Sequence, residues 1–213
     1  MSNTAWQNLH DRYKGQDWID KPSLFAETAI KYFPTVGTVL DLGAGLGQDT
    51  RYFAEHGYKV VSTDLEETAL EQSQSKLTDQ LKQKVTLQKV DLREELPFNN
   101  ATFDVVYVHL SLHYFDYETK VRLIDEIQRV LKPGGTFAFF ANSVHDPQYN
   151  TGHKIEDDYF QIGDKAKRYF SVNTARAFTK HFDVSLLDDH GETYKDSAIG
   201  VHKLIRFIGT KRV

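Results

Sequence analysis

The sequence contains no cysteine. Disulfides, thiolate metal ligands and a cysteine nucleophile are therefore excluded outright. No stretch approaches the ~20 consecutive apolar residues of a membrane-spanning helix. The segment Met1-Ser2-Asn3-Thr4-Ala5-Trp6-Gln7 lacks the charged start and apolar run of an export signal. A soluble cytoplasmic protein without a membrane partner is the expectation. Excess charge is missing too: 26 Lys and Arg face 30 Asp and Glu, a formal net charge of -4. A polyanion finds no general attraction there, which disfavours nucleic acid as a partner. The short basic runs Lys165-Ala166-Lys167-Arg168 and Lys211-Arg212 read as solvated faces.

What is present fits one globular unit. A chain of 213 residues, 40% hydrophobic and 13% aromatic, is long enough to bury one good core and short for two. Its most informative stretch runs from Val39 to Asp64: an apolar strand, glycines at Gly43, Gly45 and Gly47, a helical segment, and a second apolar strand ending on a carboxylate. Glycine removes Cβ where the chain leaves the first strand, so the backbone turns tightly and a ligand can lie against it. Asp64 follows about twenty residues later, where a carboxylate can accept the hydroxyls of a ribose. An adenosine-like ligand is implied. Dinucleotide enzymes place their third glycine one position later, where this chain has Gln48, and have no use for a negative charge such as Asp41 beside a diphosphate. A carboxylate there repels phosphate and attracts an ammonium or orders the turn.

On these residues the sequence Leu40-Asp41-Leu42-Gly43-Ala44-Gly45-Leu46-Gly47 resembles motif I of the class I methyltransferases that use S-adenosylmethionine. The similarity runs from about Thr38 to Phe140 in the family's order. Phe103-Asp104-Val105-Val106-Tyr107 resembles the fourth strand, and Glu126 to Gly135, ending Lys132-Pro133-Gly134-Gly135, resembles the helix and turn before the fifth. The resemblance implies an α/β fold with a doubly wound, mostly parallel seven-stranded sheet whose last strand is antiparallel. It implies S-adenosylmethionine as cofactor and S-adenosylhomocysteine as product. Asp41, Gly43, Ala44, Gly45 and Gly47 would surround the methionine end and ribose. Asp64 with Leu65 would hold the ribose hydroxyls, Asp91 with Leu92 would meet adenine, and the backbone of His109 and Leu110 would line the methionine part.

The pattern along the chain agrees with such a fold. Pro22 opens a helix with Phe25, Ala29, Ile30 and Phe33 on one face, and Pro34 stops it. Thr50 to His56, Glu67 to Lys82, Glu118 to Leu131 and Thr174 to His181 read as further helices. Val85 to Val90, Val105 to Val108, Thr136 to Ala141, Phe182 to Leu187 and Lys203 to Gly209 read as strands. The organisation expected is a single domain: an N-terminal helical cap over 1–37, a cofactor core over 38–142, an insert over 143–172 and a C-terminal helix with a strand hairpin over 173–213. Ser143 to Phe170 shows little periodicity and is crowded with aromatic and ionisable residues, which marks it as a lid or acceptor-recognition insert beside the fifth strand's carboxyl end. Packing on the sheet or a dimer contact is the competing explanation for so many rings.

Such an enzyme needs mainly to bind, align and desolvate, so catalytic side chains are harder to name than cofactor residues. His113, past the end of the fourth strand, faces the place a nucleophile would occupy, with an ordinary pKa near neutrality. It is the candidate base and acceptor contact, against packing or capping within its own loop. Tyr13, Tyr149 and Tyr169 are the other candidate acceptor residues, and Trp6 and Tyr13 resemble N-terminal aromatics that close over the cofactor in some relatives. Catechol-type relatives hold a cation between acids near the fourth strand. This chain has apolar residues and histidine there, and Glu156-Asp157-Asp158 reads as solvated, so no metal is expected. An Asn-Pro-Pro-Tyr signature is absent, and with no cysteine, nucleobase acceptors lose support. A small-molecule acceptor is the expectation, with the protein a monomer or homodimer. A non-catalytic cofactor-binding regulator and a methyltransferase of protein or RNA remain the alternatives.

Overall fold

The computed structural model describes residues 18–194 and 203–213. Tyr13 and Trp6 lie outside them. Seven strands form one sheet: β1 (Thr38–Leu42), β2 (Lys59–Asp64), β3 (Val85–Lys89), β4 (Phe103–His109), β5 (Leu131–Ala141), β9 (Phe182–Gly191) and β10 (Leu204–Lys211), in the order β3-β2-β1-β4-β5-β10-β9. The pairs β1–β2, β1–β4, β2–β3 and β4–β5 are parallel, and β10 runs antiparallel to both β5 and β9. The expected doubly wound α/β sheet with an antiparallel last strand is the observed one.

Alternation explains why the strands read as continuous apolar runs. Leu40, Leu42, Val106, Val108, Phe137 and Phe139 pack on one face with Leu123, Ile127 and Phe207. Val39, Val105, Tyr107, Ala138 and Phe140 pack on the other with Phe25, Ala29 and Phe53. Helix α1 (Leu24–Ala29) and α2 (Gln48–Glu55) cover the second face, while α5 (Tyr117–Val130) and α6 (Val172–Phe178) belong to the first. Helix α5 starts on Asp116, whose side chain accepts from the Thr119 amide at 2.8 Å. Its Val121, though in phase with the buried residues, is exposed.

Three expected elements differ. Strand β5 begins at Leu131, so Pro133-Gly134-Gly135, expected as the turn before it, lies within the strand. The stretch Glu67 to Lys82 is not one helix but α3 (Glu67–Ser75) and α4 (Asp79–Lys82). Thr78 breaks it by turning extended, its hydroxyl capping the Leu81 amide. The insert is not irregular. It forms a three-stranded antiparallel sheet of β6 (His153–Glu156), β7 (Tyr159–Ile162) and β8 (Lys165–Arg168). Its strands have four residues each and are joined by two-residue turns, Asp157-Asp158 and Gly163-Asp164, with Asp158 at φ 59° and Gly163 at φ 61°. Such turns suit hairpins because their twist matches that of the strands. The insert leaves and rejoins the large sheet at one point: the Phe170 amide donates to Asn142 O at 2.9 Å and the Val144 amide to Phe170 O at 3.0 Å.

Candidate active site

The parallel strands end together, and their carboxyl ends carry the candidate residues. The chain leaves β1 through Gly43, Gly45 and Gly47 at φ 73°, 56° and 70°, a region in which an L side chain is strained. Space also requires glycine: a Cβ on Gly43 would lie 2.8 Å from Ser111 Cβ, and one on Gly47 2.1 Å from Ser73 Oγ. Leu92 Cδ1 stands 4.0 Å from the same point at Gly43. The turn is tied down on both sides, Ala44 N donating to Thr63 O (2.8 Å) and Ser111 Oγ to Leu42 O (3.0 Å).

Carboxylates gather beneath and beside this bare backbone. Asp64, at the tip of β2, accepts from Gly45 N (2.8 Å) and Glu66 N (2.9 Å), one bond to each oxygen, which leaves lone pairs for further donors. Asp41 is only 2% exposed. Burial, then the neighbouring Asp49, push its carboxyl up to about 8; the Thr50 hydroxyl opposes this, and Asp64 adds to it. Thr50 Oγ1 donates to Asp41 Oδ2 at 2.7 Å. The sequence did not single out Asp49, yet it anchors the first turn of α2 to the rest. It accepts from Ser23 N (2.7 Å), Ser23 Oγ (2.8 Å) and Tyr107 OH (2.7 Å). Burial and Asp49 raise the Tyr107 phenol well above its usual value, so it remains a donor. Only a tertiary contact between residues far apart in sequence joins Ser23, Asp49 and Tyr107, and no local pattern announces it.

The neighbouring strand ends complete the row. Val90 N donates to Asp64 O at 3.0 Å, which sets Asp91 beside Asp64. The Asp91 carboxylate is already engaged: Arg93 Nη2 donates to it at 2.6 Å, Nε at 2.9 Å and the backbone amide at 2.9 Å, and this pairing holds it below the usual carboxylate range. Leu92 is buried, and Leu65 half-buried. At the end of β4 the His109 ring stacks on Phe140 with centroids 5.2 Å apart. Leu110 then takes φ 55°, uncommon outside glycine, with its amide on Phe140 O at 2.9 Å.

His113 sits in the short helical turn Leu112–Tyr114, 3% exposed, its Nδ1 without a hydrogen-bond partner. Burial, then Lys167, His109 and Lys165, bring its pKa down to about 3. An imidazole held neutral in this way is a hydrogen-bonding group. A base matched to neutral pH would need a pKa near its working pH. Among the insert's candidates, Tyr149 OH donates to Asp158 Oδ1 at 2.8 Å, and its ring meets Tyr169 edge-on at 5.5 Å. Tyr169 is 1% exposed, and its hydroxyl has no partner. Glu156 accepts from Arg168 and from the Tyr117 amide, and Asp157 pairs with Lys154. Among the described residues no three acids or histidines are grouped to hold a metal ion.

The donor set suits a cationic adenosine compound. The turn presents bare backbone, acids lie beside it, and an oriented carboxylate stands at the second strand's tip. A diphosphate would meet Asp49 and Asp64 instead of compensating cations.

Residues 40–139 match the family model described as a methyltransferase domain. An uncharacterized methyltransferase of Synechocystis is 38% identical over 109 residues, covering 51% of this chain and 48% of that protein. A sarcosine/dimethylglycine N-methyltransferase of Aphanothece halophytica is 37% identical over 112 residues, 52% of this chain and 39% of that protein. The chain thus matches about half or less of the length of these curated relatives. Among solved structures, a Burkholderia thailandensis 1,6-didemethyltoxoflavin-N1-methyltransferase, bound to that compound and S-adenosylhomocysteine, superposes with a TM-score of 0.76 at 18% identity, over 99% of this chain and 85% of that one. A Methanosarcina mazei methyltransferase superposes with a TM-score of 0.74 at 20% identity, over 86% and 96%. With the glycine turn and the strand order in agreement with the matched segment, residues 40–139 carry a methyltransferase domain, and the fold is that of the S-adenosylmethionine-dependent methyltransferases on which the chain superposes.

Proposed function

We propose that this protein transfers a methyl group from S-adenosylmethionine to a small-molecule acceptor. The observation that carries the reading is the group of acids, Asp41, Asp49 and Asp64, beside a turn whose Gly43, Gly45 and Gly47 present bare backbone. When bound, the cofactor supplies a sulfonium methyl, and its transfer to an acceptor lone pair leaves S-adenosylhomocysteine.

The chain's own residues bind, orient and exclude water. Asp64 accepts the ribose hydroxyls on the lone pairs its two backbone bonds leave free. Asp91 and Leu92 flank the adenine, with Arg93 holding the Asp91 carboxylate in place, and Leu65 packs nearby. Asp41 favours positive charge above the turn formed by Gly43, Ala44, Gly45 and Gly47, and the backbone of His109 and Leu110 closes the far side. His113, Tyr149 and Tyr169 contact the acceptor. Alignment of this kind is worth about 7–11 kcal/mol of barrier, so no single side chain need abolish the reaction when removed. A small acceptor suits the sheet β6–β8, which is anchored at the end of β5 and carries an aromatic cluster of Tyr149, Phe160 and Tyr169. The relative from Aphanothece, named for small amine acceptors, also supports it. The setting we propose is cytoplasmic, as monomer or homodimer; no described helix is long and apolar enough to cross a membrane.

Calorimetric titration tests the reading. S-adenosylmethionine and S-adenosylhomocysteine should bind and raise the melting temperature, nicotinamide dinucleotides should not, and Asp64→Ala should lose most cofactor affinity while melting cooperatively. Unchanged binding by Asp64→Ala removes that assignment, and binding without methylation of any compound in a metabolite pool supports a regulatory role instead.

A further inference from the structure

The small sheet β6–β8 packs against the turn that carries His113. Lys165, Lys167 and Tyr169 alternate along β8 and its continuation, so they share one face. Phe160, paired opposite Lys167 in β7, shares that face and is buried. Strand β8 packs against the turn that carries His113, and both lysines act on that imidazole electrostatically. Two buried polar atoms here have no partner, His113 Nδ1 and the Tyr169 hydroxyl. Proteins rarely leave such groups unpaired, and one pair on facing elements of a proposed acceptor site calls for a ligand that bonds to both. Nearby, the Lys167 ammonium donates to the neutral amide oxygen of Gln148 at 2.7 Å, with Asp146 as its charged neighbour at longer range.

We infer that the methyl acceptor carries a carboxylate, bound beneath β8 by the Lys167 ammonium, the Tyr169 hydroxyl and His113 Nδ1. The inference rests on the methyl-transfer reading above and names the acceptor's chemistry. A cationic group would meet the Lys167 ammonium on this face. Phosphate favours a bidentate guanidinium, and the adjacent Arg168 points to the other face, already donating to Phe115 O (3.1 Å), Asp157 O (3.0 Å) and the Glu156 carboxylate. A monoanionic carboxylate has lone pairs for three donors. Rings of Tyr149, Phe160 and Tyr169 beside these donors provide the apolar wall for the rest of the molecule.

The test uses the full chain saturated with S-adenosylhomocysteine. Acetate, N-acetylglycine and benzoate are titrated calorimetrically, each against its neutral amide. At least one acid should bind roughly tenfold or more tightly than its amide, the ratio expected from one charged hydrogen bond. Lys167→Met, or Lys167→Gln if the first melts early, and Tyr169→Phe should each shrink that preference while leaving the affinity for S-adenosylhomocysteine unchanged. Absence of binding by all three acids, equal affinity for acids and amides, or a preference that survives loss of Lys167 overturns the inference. Failure to bind S-adenosylhomocysteine at all overturns the methyl-transfer reading instead, so the two failures are separable.

Discussion

On the proposed reading, Asp41 should make cofactor binding depend on pH in a way that separates substrate from product. Its carboxyl is 2% exposed and pushed up to about 8 by burial and by Asp49, so the free protein holds it protonated at neutral pH. A sulfonium bound over the adjacent glycine turn favours the ionised form, whereas neutral sulfur does not. A unit charge about 7 Å from a carboxylate, at an effective dielectric near 20, is attracted by about 2.4 kcal/mol. The preference for S-adenosylmethionine over S-adenosylhomocysteine should therefore rise with pH by at most about tenfold per unit, level off above about 8, and total no more than roughly fiftyfold. The sign follows from proton release: below 8 the cation must expel the Asp41 proton, and above 8 there is none to expel.

The assay is a pair of calorimetric titrations between about pH 6 and pH 8.5, repeated in buffers of different ionisation heat to count protons released. Both ligands carry the same α-amino group, whose own titration near 8 cancels in their ratio. Asp41→Asn should flatten the ratio. The same change should also raise the free protein's stability at alkaline pH: a carboxyl whose pKa folding raises destabilises the fold progressively as pH climbs from 3.8 toward 8. A ratio identical at both ends of the pH range, or a slope that persists in Asp41→Asn, refutes the argument.

Two further predictions concern the scaffold. Gly43→Ala forces an L residue to φ 73° and sets its Cβ 2.8 Å from Ser111 Cβ; backbone strain alone costs about 1–2 kcal/mol. Thermal melting should show a loss of at least a few degrees, and Ser111→Gly in the same chain should recover part of it. No loss would mean the turn relaxes freely. Lys120 is 6% exposed, with its ammonium 4.7 Å from the ring centroids of Tyr117 and Phe178 and 5.5 Å from that of Phe170. Burial, then Arg168, lower its pKa from 10.5 to about 8, against Glu156 and Asp158. The folded state therefore bears a charge penalty of up to about 3.4 kcal/mol below pH 8, and ring contacts offset about 1–2 kcal/mol of it. Lys120→Met should stabilise the fold against urea by about 1–2 kcal/mol at pH 7. The advantage should shrink as pH rises from about 8 to 10.5, where only the unfolded chain keeps the proton. Destabilisation at pH 7, or a difference independent of pH, would show the cage to be net favourable.

How legible the fold was in the sequence follows from where its information lies. Strands buried on both faces announce themselves locally, as Val105 to Val108 did, and α5 shows its buried stripe through Leu123, Ile124, Ile127 and Val130. The break at Thr78 and the hairpins of the insert were also written locally, but in weaker terms. Thr78 is a capping residue inside a helical pattern, and Gly163-Asp164 is a two-residue turn between four-residue strands. Aromatic crowding hid the second signal: Tyr159, Phe160, Tyr169 and Phe170 suggested a patch, when the position of Tyr159 and Phe160 on a paired strand was the more telling fact.

The glycine turn of the candidate site was legible because its geometry is carried by backbone. A turn that must approach a ligand needs Gly43, Gly45 and Gly47 at fixed offsets, and offsets survive in one dimension. What supports that turn did not: Ser23, Asp49 and Tyr107 meet across three separate elements, and the proton on Asp41 depends on that meeting. The proposed acceptor face is less legible still, since Lys167 acquires its relation to His113 only when β8 packs against the turn Leu112–Tyr114. The basic run Lys165 to Arg168 read as a solvated face. Pairing in β8 splits it instead, directing Arg168 into a bonded, buried position on one side and Lys165 and Lys167 to the face shared with Tyr169. Period-two alternation was enough to divide those four residues, but the division becomes chemical only once one face has something to bind.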